Sequence, residues 1–439
     1  MKRHDVCSSL GMLQRFPSPF ARERVRVRVV LILFLIAGNL FAQSNERVYE
    51  ELDFRFVTPG ARAVAMGKTF VGLADDATAA YSNPAGLSNL LQSEISFEFN
   101  TTDITHHRFI PSENGQTQAF GDRVYAPSFF SYALPKKSFT FSFFRNVVQH
   151  YREDFRWNSR FIPSINHIES GYAGHLDADA TDYGIGISYL VHPKFSIGGS
   201  VVLSHVDTDI QGITGLVSPR SVTDTVDADT AVGAIVGVLF KPDKKFSLGA
   251  VYNTGSKFEL TTNVVGEFNT NPQLQDLTGD YPIDYVIPAR YSAGIAYRAN
   301  DHITAAFDAS RTRYSQQITD KFLILSFRYA TTKENYFIDD VTEIHTGAEY
   351  RFYRRGTVIA VRGGLFTDPD HQLHFRPLPG TDQFASDVLS FRFNSLAQHT
   401  DVGYTFGGGV AIANRVQIDS AFSFSRDSDE IILSFVCKL

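Results

Sequence analysis

From about residue 93 onward, apolar and aromatic side chains recur at every second position over runs of about 10–12 residues. Ile95, Phe97 and Phe99 alternate with Ser96, Glu98 and Asn100. Phe139, Phe141 and Phe143 do the same, as do Tyr183, Ile185, Ile187 and Tyr189, and later Ile431, Leu433 and Phe435. Successive side chains of a strand point to opposite faces, so each run gives one apolar face and one small or polar face. A soluble sandwich alternates too. These runs exceed the usual soluble strand of about 5–6 residues and match what a tilted strand needs to cross a bilayer. Connections also alternate between short (135–137, 192–194, 299–301, 354–356) and long (102–125, 151–181, 207–228, 267–286, 315–340, 367–399). Short turns at one end and long loops at the other are the arrangement of outer-membrane barrels. Tyr132, Tyr189, Tyr252, Tyr297, Tyr350 and Tyr404 fall near strand ends, where interfacial girdles sit.

The runs number fourteen: 93–101, 126–134, 138–149, 182–191, 194–206, 229–240, 245–266, 287–299, 302–314, 341–353, 356–366, 400–412, 415–426 and 429–437. The expected fold is all-β, a 14-stranded antiparallel transmembrane β-barrel over 93–439. Its even count places both ends on the periplasmic side. Residues 245–266 are taken as one strand through Gly255. Lipid cannot satisfy an open sheet edge, so the sheet must close. Fourteen strands enclose more space than wall side chains fill, so either a plug occupies the lumen or it is a pore.

Composition removes other classes. The chain has two cysteines, so a disulfide scaffold or a cysteine zinc site is excluded. No Lys/Arg block points to nucleic acid as a partner. Arg22, Arg24, Arg26 and Arg28 precede the short apolar stretch from Val29 to Phe41, and Ala42 follows. This reads as a secretory signal peptide over 1–42, with a membrane anchor as the alternative. Those residues hold seven of the 41 Lys/Arg and two of the 47 acids, leaving 34 and 45, a net of −11. Cys7 goes with the leader and leaves Cys437 alone.

Residues 43–92 do not alternate. Small residues dominate Gly60 to Gly67, helix formers fill 72–81, and Asn83-Pro84 with Gly86 signal a stop. This segment is expected to be a lumenal plug with short helices. Asp75 and Asp76 are expected either to pair with lumenal arginines such as Arg351 or Arg362, or to be solvated or cap a helix.

The blocks Gly60-Ala61-Arg62-Ala63-Val64-Ala65-Met66-Gly67, Leu73-Ala74-Asp75-Asp76-Ala77-Thr78-Ala79 and Asn83-Pro84-Ala85-Gly86-Leu87, placed directly before this strand pattern, resemble the FadL/TodX family of outer-membrane hydrocarbon transporters. Residues 287–294 and 346–350 are similar to its middle and late strands. The resemblance implies a hatch inside the barrel that carries Gly60, Met66, Gly67, Asp75, Asp76, Asn83, Pro84, Ala85 and Gly86. It also implies uptake of long-chain fatty acids or aromatic hydrocarbons, captured by extracellular loops and released sideways through the wall. In the family an inward kink of the third strand makes the lateral opening; residues 138–151 have neither Gly nor Pro, so the sequence does not show that kink.

Candidate capture residues are Ile210, Ile213, Leu216 and Val217, then Leu274, Leu277, Tyr281, Ile283 and Tyr285. Removing a CH₂ from water gains about 0.8 kcal/mol, so apolar grooves suit such a solute better than an aqueous pore. Arg220 and Lys257 are candidate cations for a ligand carboxylate. His371 and His374 near Asp368 and Asp370 make a metal conceivable, with loop solvation the plainer reading, as for His106-His107. Asp177, Asp179 and Asp182, and Asp224, Asp227 and Asp229, match no calcium loop but could bridge cations to lipopolysaccharide. No nucleophile-elbow motif supports an enzyme. The expected protein is therefore a monomer of the outer membrane, without cofactor, catalysis or nucleic-acid partner, that meets hydrophobic small molecules, outer-membrane lipids, lipopolysaccharide and the barrel-assembly machinery. The alternative is a PorV-like barrel of a secretion system that binds cargo proteins.

Overall fold

The computed structural model describes residues 58–108, 118–157, 160–162, 167–169, 172–214, 220–267, 278–322, 332–394, 400–413, 415–426 and 428–439. The strands before the middle of the chain are β1 (Glu94–Arg108), β2 (Gln118–Lys136), β3 (Phe139–Trp157), β4 (Arg160–Ile162), β5 (His167–Glu169), β6 (Tyr172–His192), β7 (Phe195–Thr214) and β8 (Arg220–Phe240). Then come β9 (Phe246–Asn253), β10 (Ser256–Glu267), β11 (Gly279–Ile287), β12 (Arg290–Arg298), β13 (Ile303–Thr312), β14 (Tyr336–Phe337) and β15 (Val341–Arg354). The last are β16 (Thr357–Pro369), β17 (His374–Phe375), β18 (Thr400–Ile412), β19 (Val416–Phe424) and β20 (Ser428–Lys438). Short helices are α1 (Ala61–Ala65), α2 (Ala79–Ser82) and α3 (Gln383–Asn394).

Neighbouring strands pair antiparallel around the whole sheet, and β1 pairs β20, which closes it. Among the described residues, sixteen strand segments of this sheet make fourteen staves, because two staves are each broken in two. The 245–266 stave breaks at Gly255, whose φ of 66° suits glycine, into β9 and β10. Its neighbour breaks at Pro288-Ala289 into β11 and β12. The lower halves pair as β9 with β12, and the upper halves as the hairpin β10–β11, whose β10 also pairs β8 at its far end. Both staves break together, so the even count stands.

Outward side chains form the apolar belt. Phe139, Phe141 and Phe143 on β3, and Ile185, Ile187 and Tyr189 on β6, are exposed, while Thr140, Ser142 and Ser188 between them are buried. In water such a surface would be an aggregation hazard; facing lipid it is the expected one.

Strands near the long-loop end extend further than the hydrophobic pattern indicates. β6 has 21 residues, β7 has 20 and β8 has 21, so much of the stretches 151–181 and 207–228, expected as loops, is strand. At about 3.3 Å per residue, β6 reaches roughly 70 Å along its axis, about twice what a bilayer needs. Tyr183, Leu203 and Val232 are the last outward apolar rung there; above them Asp179 pairs with Asp207 and Asp177 with Asp209. Beyond lipid, the outward face turns polar and the apolar phase passes to the inner face, as at Leu176, Ala178 and Ala180, while the backbone ladder continues.

Candidate functional site in the lumen

Residues 58–92 lie against the inner wall near the short-turn end. The segment contains only short helical pieces, so many of its backbone groups lack regular partners, and polar wall side chains supply them. Asp308 accepts from the N–H of Phe70 (2.6 Å) and Val71 (2.8 Å). Glu98 accepts from Gly60 N (2.5 Å) and Thr405 Oγ1 from Gly67 N (2.9 Å). Ser131 donates to Ala77 O, Ser196 to Ala85 O and Ser200 to Ala80 O. Asn83 holds both sides: Nδ2 donates to Val71 O (2.9 Å) and to Val238 O of β8 (3.3 Å), while Oδ1 accepts from Ala85 N. Gly67 (φ 72°) meets the wall backbone directly; a Cβ at Gly364 would lie 2.2 Å from Gly67 N.

Charges tie the same segment down. Arg62 bridges Asp75 (2.7 Å) and Glu349 of β15 (3.1 Å), and Arg298 of β12 reaches Asp75 from the other side (2.8 Å). Arg362 pairs with Glu349 and Asp419 (both 2.7 Å), and Arg351 with Glu349 (3.5 Å). The expected pairing of Asp75 or Asp76 with Arg351 or Arg362 is therefore replaced: those two arginines neutralise wall carboxylates, and Asp75 takes Arg62 and Arg298. Burial works to lift the Asp75 carboxyl, but the two guanidiniums outweigh it and hold it below its usual value. Asp76 accepts from Thr78 N and Oγ1 in a local turn before α2 and does not cap the helix, whose N-cap is Thr78. Burial, then the neighbouring Asp75 charge, pushes Asp76 up.

At the long-loop end the interior is apolar. Phe258 and Leu260 of β10 and Ile283, Tyr285 and Ile287 of β11 pack with Val148, Leu176 and Val206 of the wall. Tyr336, Phe375 and Phe393 close over them, with Tyr336 at 5.5 Å from each of the other two rings. The Tyr285 hydroxyl donates to Gln149 of β3. A second apolar cluster, around Phe70, Leu73 and Leu87, joins the N-terminal segment to Phe129, Phe144 and Val202. Between the two clusters runs a polar row. Asn146, Asp182 and Ser204 are cross-strand partners on β3, β6 and β7, and Ser204 also meets Ser256 (2.7 Å).

The wall parts at that level. The β2–β3 ladder ends at Phe129↔Asn146 among the described residues, although both strands run on, and β3 carries a bulge between Val147 and Gln149. β3 thus leaves β2 through a bulge, and although β3 has neither glycine nor proline there, the next residues of β2 are a bulge at Ser128 and Pro127, which has no N–H to continue the ladder. Arg145 spans the start of the parting, donating to Pro127 O (2.7 Å). A second discontinuity lies between β8 and β10. There Asp227 and Asp229 accept from the N–H of Thr261 and Glu259 (both 2.8 Å), so carboxylates stand where carbonyls would.

Of the sequence-predicted capture residues, Ile210, Ile283 and Tyr285 are buried in the loop-end cluster. Ile213 and Tyr281 are partly exposed on β7 and β11. Leu216, Val217, Leu274 and Leu277 lie outside the described residues. Arg220 lies on β8, and Lys257 pairs with Asp284 (2.8 Å). His371 stacks on Tyr314 (4.5 Å) and His374 pairs with Asp370 (3.1 Å). Among the described residues no group of three or more His, Cys, Asp or Glu is set to hold a metal. Sequence reasoning missed Phe258, Glu349, Asp308 and the polar row; acids on the inner phase of a strand were the available signal.

Comparisons with known proteins agree with this architecture. The model of the family described as outer membrane protein transport protein (OMPP1/FadL/TodX) matches residues 57–429. Among solved structures, a Pseudomonas aeruginosa FadL homologue is 15% identical, with a TM-score of 0.61 over 87% of this chain and 98% of its own. The Ralstonia pickettii toluene transporter TbuX is 13% identical, TM-score 0.59, over 88% and 100%. The P. putida toluene transporter TodX is 16% identical, TM-score 0.58, over 88% and 99%. No curated protein matches by sequence.

Proposed function

This chain belongs to the outer membrane protein transport protein family (OMPP1/FadL/TodX), and on that premise we propose that it takes up hydrophobic compounds, long-chain fatty acids or aromatic hydrocarbons, through a hatch-gated barrel. The observation that carries the reading is the parting of β2 from β3 at the top of the apolar belt, beside a lumen that is apolar on both sides. A solute that enters the loop-end cluster has an apolar surface to exchange for, and the parting leads from the lumen toward lipid. The gain of about 0.8 kcal/mol per CH₂ favours that route over water.

Residues 43–92 act as the hatch, with Gly60, Met66, Gly67, Asp75, Asp76, Asn83, Pro84, Ala85 and Gly86 shaping it. Asn83 is the hinge pin, because its amide holds two hatch segments and β8 at once. Ile210, Ile283 and Tyr285 contribute to capture at the extracellular end. The leader 1–42 directs export, and the protein works as a monomer among outer-membrane lipids and lipopolysaccharide after insertion by the assembly machinery. Catalysis plays no part. The cargo-binding secretion alternative has no observation in its favour, and the family match is to transport proteins.

Initial uptake of labelled long-chain fatty acids and of toluene, with and without this gene, tests the reading. Faster uptake of either class with the gene supports it; equal uptake of both overturns it. Asn83→Ala is expected to change the rate while the barrel stays folded.

A further inference from the structure

The polar row that divides the two apolar clusters stands at the threshold of the wall parting. Asn146 is opposite Phe129 on the last described rung of the β2–β3 ladder. Asp182 is its cross-strand partner on β6, and Ser204 is the partner of Asp182 on β7. All three are buried, as is Ser256, and all point inward, since Tyr183 beside Asp182 is exposed on the outer face. Ser204 donates to Asp182 (2.6 Å). Cross-strand neighbours stand about 5 Å apart, so a solute crossing from the upper cluster toward the parting passes within a few ångströms of the Asp182 carboxylate.

The charge of this band is unbalanced. Arg290, at the start of β12, is spent on Glu343 (2.9 Å), which His345 also contacts (3.3 Å). Lys257 has an exposed side chain and is held by Asp284. Asp308 faces the hatch N–H groups. Arg145, beside Asn146, lies in the outward phase of β3 with Tyr183 and is held on Pro127 O, so on the lumenal side Asp182, Glu343 and Arg290 together leave one net negative charge. A like charge brought to that distance in a poorly hydrated lumen is strongly repelled. An alkyl chain or an aromatic ring meets no such barrier, and a hydroxyl finds donors and acceptors in Asn146, Ser204 and Ser256.

We propose that the Asn146–Asp182–Ser204–Ser256 row is a charge filter that passes uncharged hydrophobic solutes, hydrocarbons and long-chain alcohols, and holds back free carboxylates. This inference rests on the uptake reading above and narrows its substrate class.

The test compares labelled dodecanol with labelled dodecanoate, two solutes of equal chain length, in cells producing the protein at pH 8, with empty cells subtracted. The readout is the ratio of initial dodecanoate to dodecanol uptake. The wild type is expected to give a low ratio, and Asp182→Asn to raise it about tenfold. Asn146→Asp adds a second charge and is expected to lower it further, which keeps the test decisive if Asp182→Asn does not reach the membrane. Heat-modifiable gel mobility confirms the barrel in each variant. A wild-type ratio near one, or the same ratio in every folded variant, overturns the filter. Failure of the wild type to take up either solute above empty cells defeats the uptake reading instead, and the filter with it.

Discussion

The two ends of the lumen are held by different physics. The hatch end is fastened by directional contacts: guanidinium–carboxylate pairs, carboxylates and serines on hatch backbone groups, and a glycine seat where two backbones touch. The loop end is held by rings and branched chains from β10, β11 and the segments around Tyr336 and Phe375. Directional contacts are all-or-none, because a buried charge or N–H that loses its partner stays unsatisfied. Apolar packing tolerates exchange, since one greasy surface replaces another at similar free energy. On the proposed reading, the first kind of bonding suits a gate and the second a capture surface.

The sharpest difference between the ends is expected from Gly364→Val. Its side chain would collide with the Gly67 backbone, which cannot yield as a flexible side chain would. The hatch should fail to seat, and single-channel conductance in planar bilayers should rise far above the wild type; unchanged conductance would show the seat is not needed. Arg62→Ala comes next. It removes one cation of Asp75 and one of Glu349, and a broken buried pair costs about 3–5 kcal/mol. Protease cutting within 58–92 should speed up, while amide exchange in β10–β11 stays as it was.

Phe258→Ala reverses that pattern. Truncating a buried Phe costs about 3 kcal/mol or more. Exchange in β10–β11 should accelerate and the hatch should keep its protease resistance; coupled loosening of both ends would refute their independence. The smallest effect is on pH. The Asp75 carboxyl is held below its ordinary value of 3.8, so its contribution to docking is present at neutral pH and lost as the pH falls below about 4. Asp76 is raised and has the opposite sign, favouring the docked state once protonated, so the acid loss is partial. Hatch proteolysis by an acid-tolerant protease should rise as the pH falls below about 4. A flat profile to about pH 3 would remove Asp75 from the lock.

Much of this protein is written locally. The side-chain phase of Phe139, Phe141 and Phe143 depends only on strand geometry, so the closed barrel and the inward polar face follow from spacing. The small-residue segment before it, with Asn83-Pro84, reads as an irregular piece that must lie inside. Where lipid ends, that legibility ends too. In the Asp- and Thr-rich upper halves of β6 and β7 the apolar phase passes to the inner face, where Leu176, Ala178, Ala180, Val206 and Ile210 are buried, because water wets the outer face, and the strands pair all the same through the backbone.

Partners across the lumen were decided by tertiary structure alone. Arg298, and not Arg351 or Arg362, meets Asp75, because strand stagger sets which rung of the wall stands at hatch height. The bulge after Val147, opposite Pro127 of β2, parts β3 from β2, and the twin breaks at Gly255 and Pro288 set β10–β11 off from β9–β12 as one hairpin that still pairs β8. Alternation is a property of neighbours along the chain, and spacing records it. Register, stagger and the meeting of residues hundreds of positions apart are properties of closure, and they exist only once the sheet has wrapped around the segment it encloses.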